Sequence, residues 1–231
     1  MLGAYSAMAN RTYDTYLQAL SEKRFFILLV LILLTIVLTP FLDQFIETRI
    51  LMDIFLTAIF IAIIFAIRTK RFHVIVASIL VLPLIVSTWS IYFIESARIG
   101  LLTRIFGALF FAYAVIIILQ IVVRSTEVTQ ETIFAAIVAY LLIALMWAFL
   151  YMTMELVIPG SFTSPEASNR AETMHFEYFS FVTITTLGYG DITPLTNRAS
   201  ALVLLEALVG QIYLVVLVAW LVGMYVSRKA K

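Results

Sequence analysis

Six stretches of this chain, at about 25–42, 50–67, 72–94, 100–123, 132–158 and 197–226, are predominantly apolar and at least 18 residues long. Runs of ~18 or more apolar residues suit a helix that crosses a bilayer. In hydrocarbon the backbone must satisfy its own polar groups, which restricts spanning structures to helices and closed barrels. The expected fold is therefore an all-α membrane protein with six transmembrane helices. Composition agrees. The chain is 63% hydrophobic and 13% charged, about half the roughly 25% charge of an ordinary soluble domain.

Net charge is +1, which gives no global attraction to nucleic acid, and none is expected as a partner. With 0 cysteines, disulfides and thiolate metal sites are excluded. The first apolar run exceeds a signal-peptide core and lacks a small-x-small cleavage site, so it is read as a retained span. No lipidation motif is visible. Residues 1–24 interleave Tyr13, Tyr16, Leu17 and Leu20 with Arg11, Asp14, Gln18 and Lys23. That pattern suits a cytoplasmic amphipathic segment on the membrane surface or a plain helical approach to the first span. Pro83 predicts a kink in the third span. The thirty-residue last helix (197–226) should tilt or project beyond the hydrocarbon.

Basic residues set the orientation. With the amino end cytoplasmic, Arg11, Lys23, Arg24, Arg68, Lys70, Arg71, Arg124, Arg228, Lys229 and Lys231 lie inside, against Arg49, Arg98, Arg104, Arg170 and Arg198 outside, ten against five. Both termini are expected to be cytoplasmic.

Between the last two spans lie a polar acidic loop, a short apolar segment (174–185) and the run Thr185-Thr186-Leu187-Gly188-Tyr189-Gly190-Asp191. The segment is too short to cross a bilayer. Irregular backbone at membrane depth is tolerated only where protein buries it or it lines a wet path. Glycine at alternate positions permits dihedrals closed to other residues. Such a loop can turn its carbonyl oxygens inward and replace the water around a dehydrated cation.

TLGYGD, between a half-helix and a full helix, resembles the selectivity filter of tetrameric potassium channels. The likeness extends over about a hundred residues, 132–231. It implies a pore domain at 125–231, with pore helix 174–185, filter 186–191 and inner helix 197–226, behind a four-helix domain at 25–124. It also implies a homotetramer with a four-fold pore in membrane lipid, and K+ ions in the filter as the permeant species, with no organic cofactor and no enzymatic activity. On this resemblance the carbonyls of Thr186, Leu187, Gly188 and Tyr189 form successive ion sites, with the Thr186 hydroxyl innermost and the Gly190 carbonyl at the outer mouth. Asp191 sits at that mouth, and Thr185, Tyr178, Phe179 and Glu206 support the filter from behind. Glu155, Glu166, Glu172 and Glu177 would join Asp191 in a fourfold acidic entrance, with a solvated turret as the alternative for Glu166 and Glu172.

Gly210 lies 22 residues after Gly188, where the family commonly has its gating hinge. Bottom-up, a glycine inside a long helix marks bending or close packing. Gln211, Leu214, Val218 and Val222 share one helical face and would line the cavity; Ala219, Val222 and Gly223 lie where an inner gate would close. Glu206, a carboxylate in hydrocarbon, needs partners, and the pore helix is the expected one. The run EALVGQIY from Glu206 to Tyr213 resembles bacterial members, which implies a prokaryotic plasma membrane. Three departures stand out. Trp220 occupies a position where such relatives carry arginine, Val182 replaces a pore-helix carboxylate, and Phe179 cannot donate a hydrogen bond.

The first four spans resemble a voltage-sensor domain without its gating charges. In the fourth, Arg98, Arg104 and Arg124 are six and then twenty residues apart, whereas steep gating needs 3–4 charges in the field. Little or no voltage dependence is expected. The sequence ends five residues after Val226, so no nucleotide- or calcium-binding domain is expected, and His175 is a candidate proton sensor. Two readings compete: a poorly selective cation channel, and a non-conducting accessory subunit. An uptake transporter would need four pore loops in one chain, and one is present.

Overall fold

A computed structural model describes residues 23–42, 48–90, 92–94, 96–163 and 172–229. The amphipathic segment expected at 1–24 lies outside them except at its last two residues. Among the described residues there are seven helices: α1 (Arg24–Leu42), α2 (Thr48–Ala66), α3 (Arg71–Ser90), α4 (Ala97–Arg124), α5 (Gln130–Val157), α6 (Glu172–Ile184) and α7 (Asn197–Lys229). The fold is all-helical among the described residues. Four helices, α3, α4, α5 and α7, are long and apolar enough to cross a membrane, while α1 and α2 carry shorter apolar stretches, Arg24–Leu38 and Ile50–Ala66.

Boundaries follow local chemistry. Thr129 caps α5, its hydroxyl accepting from the Thr132 amide at 3.2 Å, so the helix starts two residues before the expected 132. Pro159 and Gly160, the latter at φ 79°, end it. The short helix begins at Glu172, not 174, and ends at Ile184, not 185. Pro83 stands inside α3, and the helix runs through it.

Aromatic rings carry the packing from the first four helices into α5. Phe60 on α2 meets Phe110 and Phe111 of α4 at centroid distances of 5.5 and 5.7 Å. Phe111 meets Phe149 of α5 at 5.5 Å. Phe60, Phe110 and Phe111 are fully buried. Each such ring pair adds ~0.5–1.5 kcal/mol beyond its burial. At the opposite edge Phe26 of α1 meets Phe134 of α5 at 5.2 Å, and the Phe25 amide donates to Glu131 Oε2 at 3.3 Å. Asp53 on α2 accepts from the Tyr92 hydroxyl at 2.6 Å, just after α3.

The link between α4 and α5 is residues 125–129. Five residues reach at most ~18 Å, so α4 folds straight back onto α5, its most extensive partner. The four-helix unit therefore rests on the α5 of its own chain. Gly107 makes that approach possible, since a β-carbon there would lie 2.2 Å from the Phe149 ring. Gly107→Val should lower stability by about 1–3 kcal/mol through overpacking, read as a drop in the thermal midpoint of the detergent-solubilised protein. Adding Phe149→Leu should recover part of the loss.

Candidate functional site

Helix α6 has 13 residues; at 1.5 Å per residue it is ~20 Å long, short of a ~30 Å hydrocarbon core. It enters and stops, and the run after it folds back on its carboxyl end. The Thr186 amide donates to the Thr183 carbonyl at 2.9 Å, and those of Leu187 and Gly188 donate to the Val182 carbonyl at 3.0 and 3.2 Å. The Thr185 hydroxyl donates to the Phe181 carbonyl at 2.6 Å.

The run alternates in hand. Thr186, Gly188 and Gly190 have φ of 60°, 55° and 76°, while Leu187 and Tyr189 stay negative. In a backbone of one extended hand successive carbonyls point to opposite sides. Alternating the hand cancels that reversal and brings neighbouring carbonyls towards one side. The left-handed region is easy for glycine and strained for threonine. No described group donates to the carbonyls of 186–190. The whole run, 185–191, is exposed in the single chain, Tyr189 at 67%.

Behind the run, α5 and α7 hold α6 through hydroxyl groups. Tyr140 donates to the Ile184 carbonyl at 2.8 Å, where the helix ends. Glu206 is fully buried; its two oxygens contact the Ser180 hydroxyl on α6 and the Tyr151 hydroxyl on α5. Tyr213 donates to the Ala136 carbonyl at 2.6 Å, tying α7 to α5. Phe179 packs against Tyr151 and Phe162 at 5.2 and 5.6 Å, within an aromatic cluster that includes Phe176. Tyr178 is half-buried against the core, and Val182 is buried.

The outer loops are clasped together. The Thr163 amide donates to the Thr193 carbonyl at 2.9 Å, and the Leu195 amide to the Ser161 carbonyl at 2.8 Å. Of the carboxylates expected at an acidic entrance, Glu155 is engaged elsewhere and Glu177 has a buried oxygen. Glu155 accepts from the Gly160 and Phe162 amides at 2.7 and 3.1 Å, so it closes its own loop. Glu177 Oε1 is buried, with no hydrogen-bond partner among the described residues. Asp191 is exposed, one oxygen accepting from the Ile192 amide at 3.1 Å. Glu166 and the Glu172 side chain lie outside the described residues.

On α7, Gln211, Leu214, Val218 and Val222 are exposed along one face, with Ala219 and Gly223 beside them. The helix continues unbroken through Gly210. That glycine is buried, and a β-carbon on it would lie 2.6 Å from Ile184 Cγ1 and 2.9 Å from the Ile184 carbonyl oxygen. Of the two readings of this position, close packing is the one seen here.

Long apolar helices around a half-length helix and an irregular exposed run define an integral membrane protein. Residues 132–227 match a family described as ion channel, which supports an ion channel and covers α5, α6, the run and nearly all of α7. No curated protein matches the chain, and no solved structure does.

Tyr151, Ser180, Tyr140 and Tyr213 are contacts that sequence reasoning missed. A signal was present: Tyr140 and Tyr151 are eleven residues apart, three helical turns, which sets both hydroxyls on one stripe of α5. Gly210→Ala separates the two readings of the glycine. A hinge freed of its glycine gains ~1 kcal/mol of helix propensity, whereas overpacking against a backbone carbonyl loses about 1–3 kcal/mol. The expected result is a lower thermal midpoint; a raised one would assign the glycine to bending.

Proposed function

We propose that this chain is one subunit of a homotetrameric potassium-selective channel that conducts K+ passively across a prokaryotic plasma membrane. The observation that carries the reading is the run 186–190, where the backbone hand alternates, the amides of Thr186, Leu187 and Gly188 donate to α6, and the carbonyl oxygens have no donor among the described residues. Unpaired carbonyls inside hydrocarbon are costly unless something replaces their donors. A dehydrated cation does so, and rings of carbonyls from four copies would surround it on a four-fold axis. Thr186, Leu187, Gly188, Tyr189 and Gly190 would hold the ions, with Asp191 outermost.

Gln211 and the run 185–191 are exposed on the single chain, and neither a glutamine nor undonated carbonyls suit lipid. Copies around an axis would turn them to a central water path, with Leu214 and Val218 lining it. Ala219, Val222 and Gly223 would form the inner narrowing. The six helices α1–α5 and α7 would then be the spans, with both termini cytoplasmic. The resemblance to the TLGYGD filter supports K+ over Na+.

In α4 no charge falls between Arg104 and Arg124. A charge crossing the field gains ~2.3 kcal/mol per 100 mV, so one arginine near the outer end gives shallow gating at most. Conductance should be nearly flat with voltage, and a steep activation curve in patch recordings would refute this.

Purified protein in liposomes should give potassium flux blocked by barium, with a reversal potential that follows the K+ gradient and ignores Na+. A reversal potential midway between the two indicates a poorly selective pore; a folded tetramer without flux indicates an accessory subunit. Gly188→Ala puts a β-carbon at φ 55°, ~1–2 kcal/mol of strain in each copy. Flux should fall by about tenfold or more while the tetramer persists on size exclusion.

A further inference from the structure

Glu206 makes no contact with a charged side chain among the described residues, and its two oxygens meet only hydroxyl groups. The hydroxyl of Ser180 has a second neighbour: its oxygen lies 2.6 Å from the Ala144 carbonyl. Three oxygen–oxygen contacts therefore run in a chain, from Tyr151 to Glu206, Glu206 to Ser180, and Ser180 to Ala144. Each needs a proton between its oxygens, since two lone pairs facing each other repel. A tyrosine and a serine hydroxyl bring one proton each, and a carbonyl brings none. Two protons cannot fill three contacts. The third must sit on the carboxyl group.

Burial points the same way. An ionised carboxylate in hydrocarbon costs ~2.5 kcal/mol or more, and no cation offsets it here. As a neutral acid, Glu206 accepts from Tyr151 through one oxygen and donates to Ser180 through the other, which then donates to Ala144. Each of the three contacts then holds one proton.

We propose that Glu206 is a proton-binding site, a neutral carboxylic acid that fastens α6 to α7, and that loss of its proton lowers conduction. The second half rests on the channel reading above. When the proton leaves, the Glu206–Ser180 contact or the Ser180–Ala144 contact loses its hydrogen. The hold on α6 weakens one turn before Ile184, where the run begins. The titratable groups facing Glu206 are Tyr151 and, further along the same stripe of α5, Tyr140. From α6 it meets only the Ser180 hydroxyl. The charged neighbour of Glu177, the described carboxylate of that helix, is Asp53 of α2.

The test compares wild-type tetramer with Glu206→Gln in lipid. Glutamine keeps an acceptor for Tyr151 and a donor for Ser180, so it mimics the protonated acid and cannot titrate. The infrared difference spectrum should show the carbonyl band of a buried carboxylic acid near neutral pH, giving way to carboxylate at alkaline pH. In parallel, wild-type potassium flux should fall about fivefold through the same transition, the effect of one hydrogen bond. Glu206→Gln should keep the acidic-pH flux at every pH.

A carboxylate band near neutral pH overturns the proposal, whatever the flux. An acid band with no flux from any variant leaves the proton site standing and removes the channel reading instead. An acid band that titrates while wild-type flux stays constant overturns the coupling. Should Glu206→Gln fail to assemble, Tyr151→Phe serves. It leaves the acid and its bond to Ser180, so the acid band should persist with a shifted transition, and loss of the band overturns the proposal.

Discussion

The structure depends on where the peptide groups after α6 send their hydrogen bonds. In water an irregular run can leave both amides and carbonyls to the solvent. At membrane depth that option closes, and each unmade bond costs on the order of the polar group's desolvation. Here the amides of Thr186, Leu187 and Gly188 turn back to the carbonyls that the end of a helix always leaves open. One deficit cancels another, and the carbonyls of the run are what remain. A helix end also carries a partial negative charge of ~0.5, which adds to the preference for a cation beyond it. The run and the helix that precedes it are thus one unit, and whatever moves α6 moves the carbonyls.

That dependence gives the rest of the chain its part. A 13-residue helix that does not cross the bilayer has no anchoring in the far leaflet and must be held from the side. Helix α5 supplies most of the hold, with Tyr140 on the last carbonyl of α6 and an aromatic cluster along its flank. It is itself backed by α4, in contact from Gly107 and Phe111 to Phe149. The five-residue link keeps this support within one chain. On the channel reading, the four-helix unit steadies its own subunit's filter, a part it can play without gating charges.

Much of this architecture was legible in the sequence because apolar length and punctuation are one-dimensional signals. Six apolar runs and a half-length segment matched the helices to within a few residues. Glycine spacing likewise marked the run, since φ near 60° in alternate residues is nearly a glycine signature. Thr186, which takes the same hand without being glycine, was not readable. Partners were harder. That Glu206 needs hydrogen bonds follows from its burial; that Tyr151 and Ser180 supply them depends on how three helices rotate against one another. The acidic entrance was over-read for a related reason. Carboxylates near a mouth in sequence need not face it, and Glu155 and Glu177 turn to their own loop and interior.

Two contacts between α6 and α7 bear on motion. Ser180 meets Glu206, and Ile184 meets Gly210. The members are four residues apart on each helix, so the contacts stand one turn above the other. One is polar and sets which oxygens must meet. The other is steric and sets how close the backbones come. A pair of contacts one turn apart resists rotation as well as sliding, which a single contact cannot do. Any shift of α7 at Gly210 would therefore act directly on the last residue of α6, which Tyr140 holds from α5. On the channel reading, movement of α7 and the shape of the carbonyl run would be coupled without any intervening segment. Of the three ties, the one through Glu206 is the one that depends on a carboxyl group.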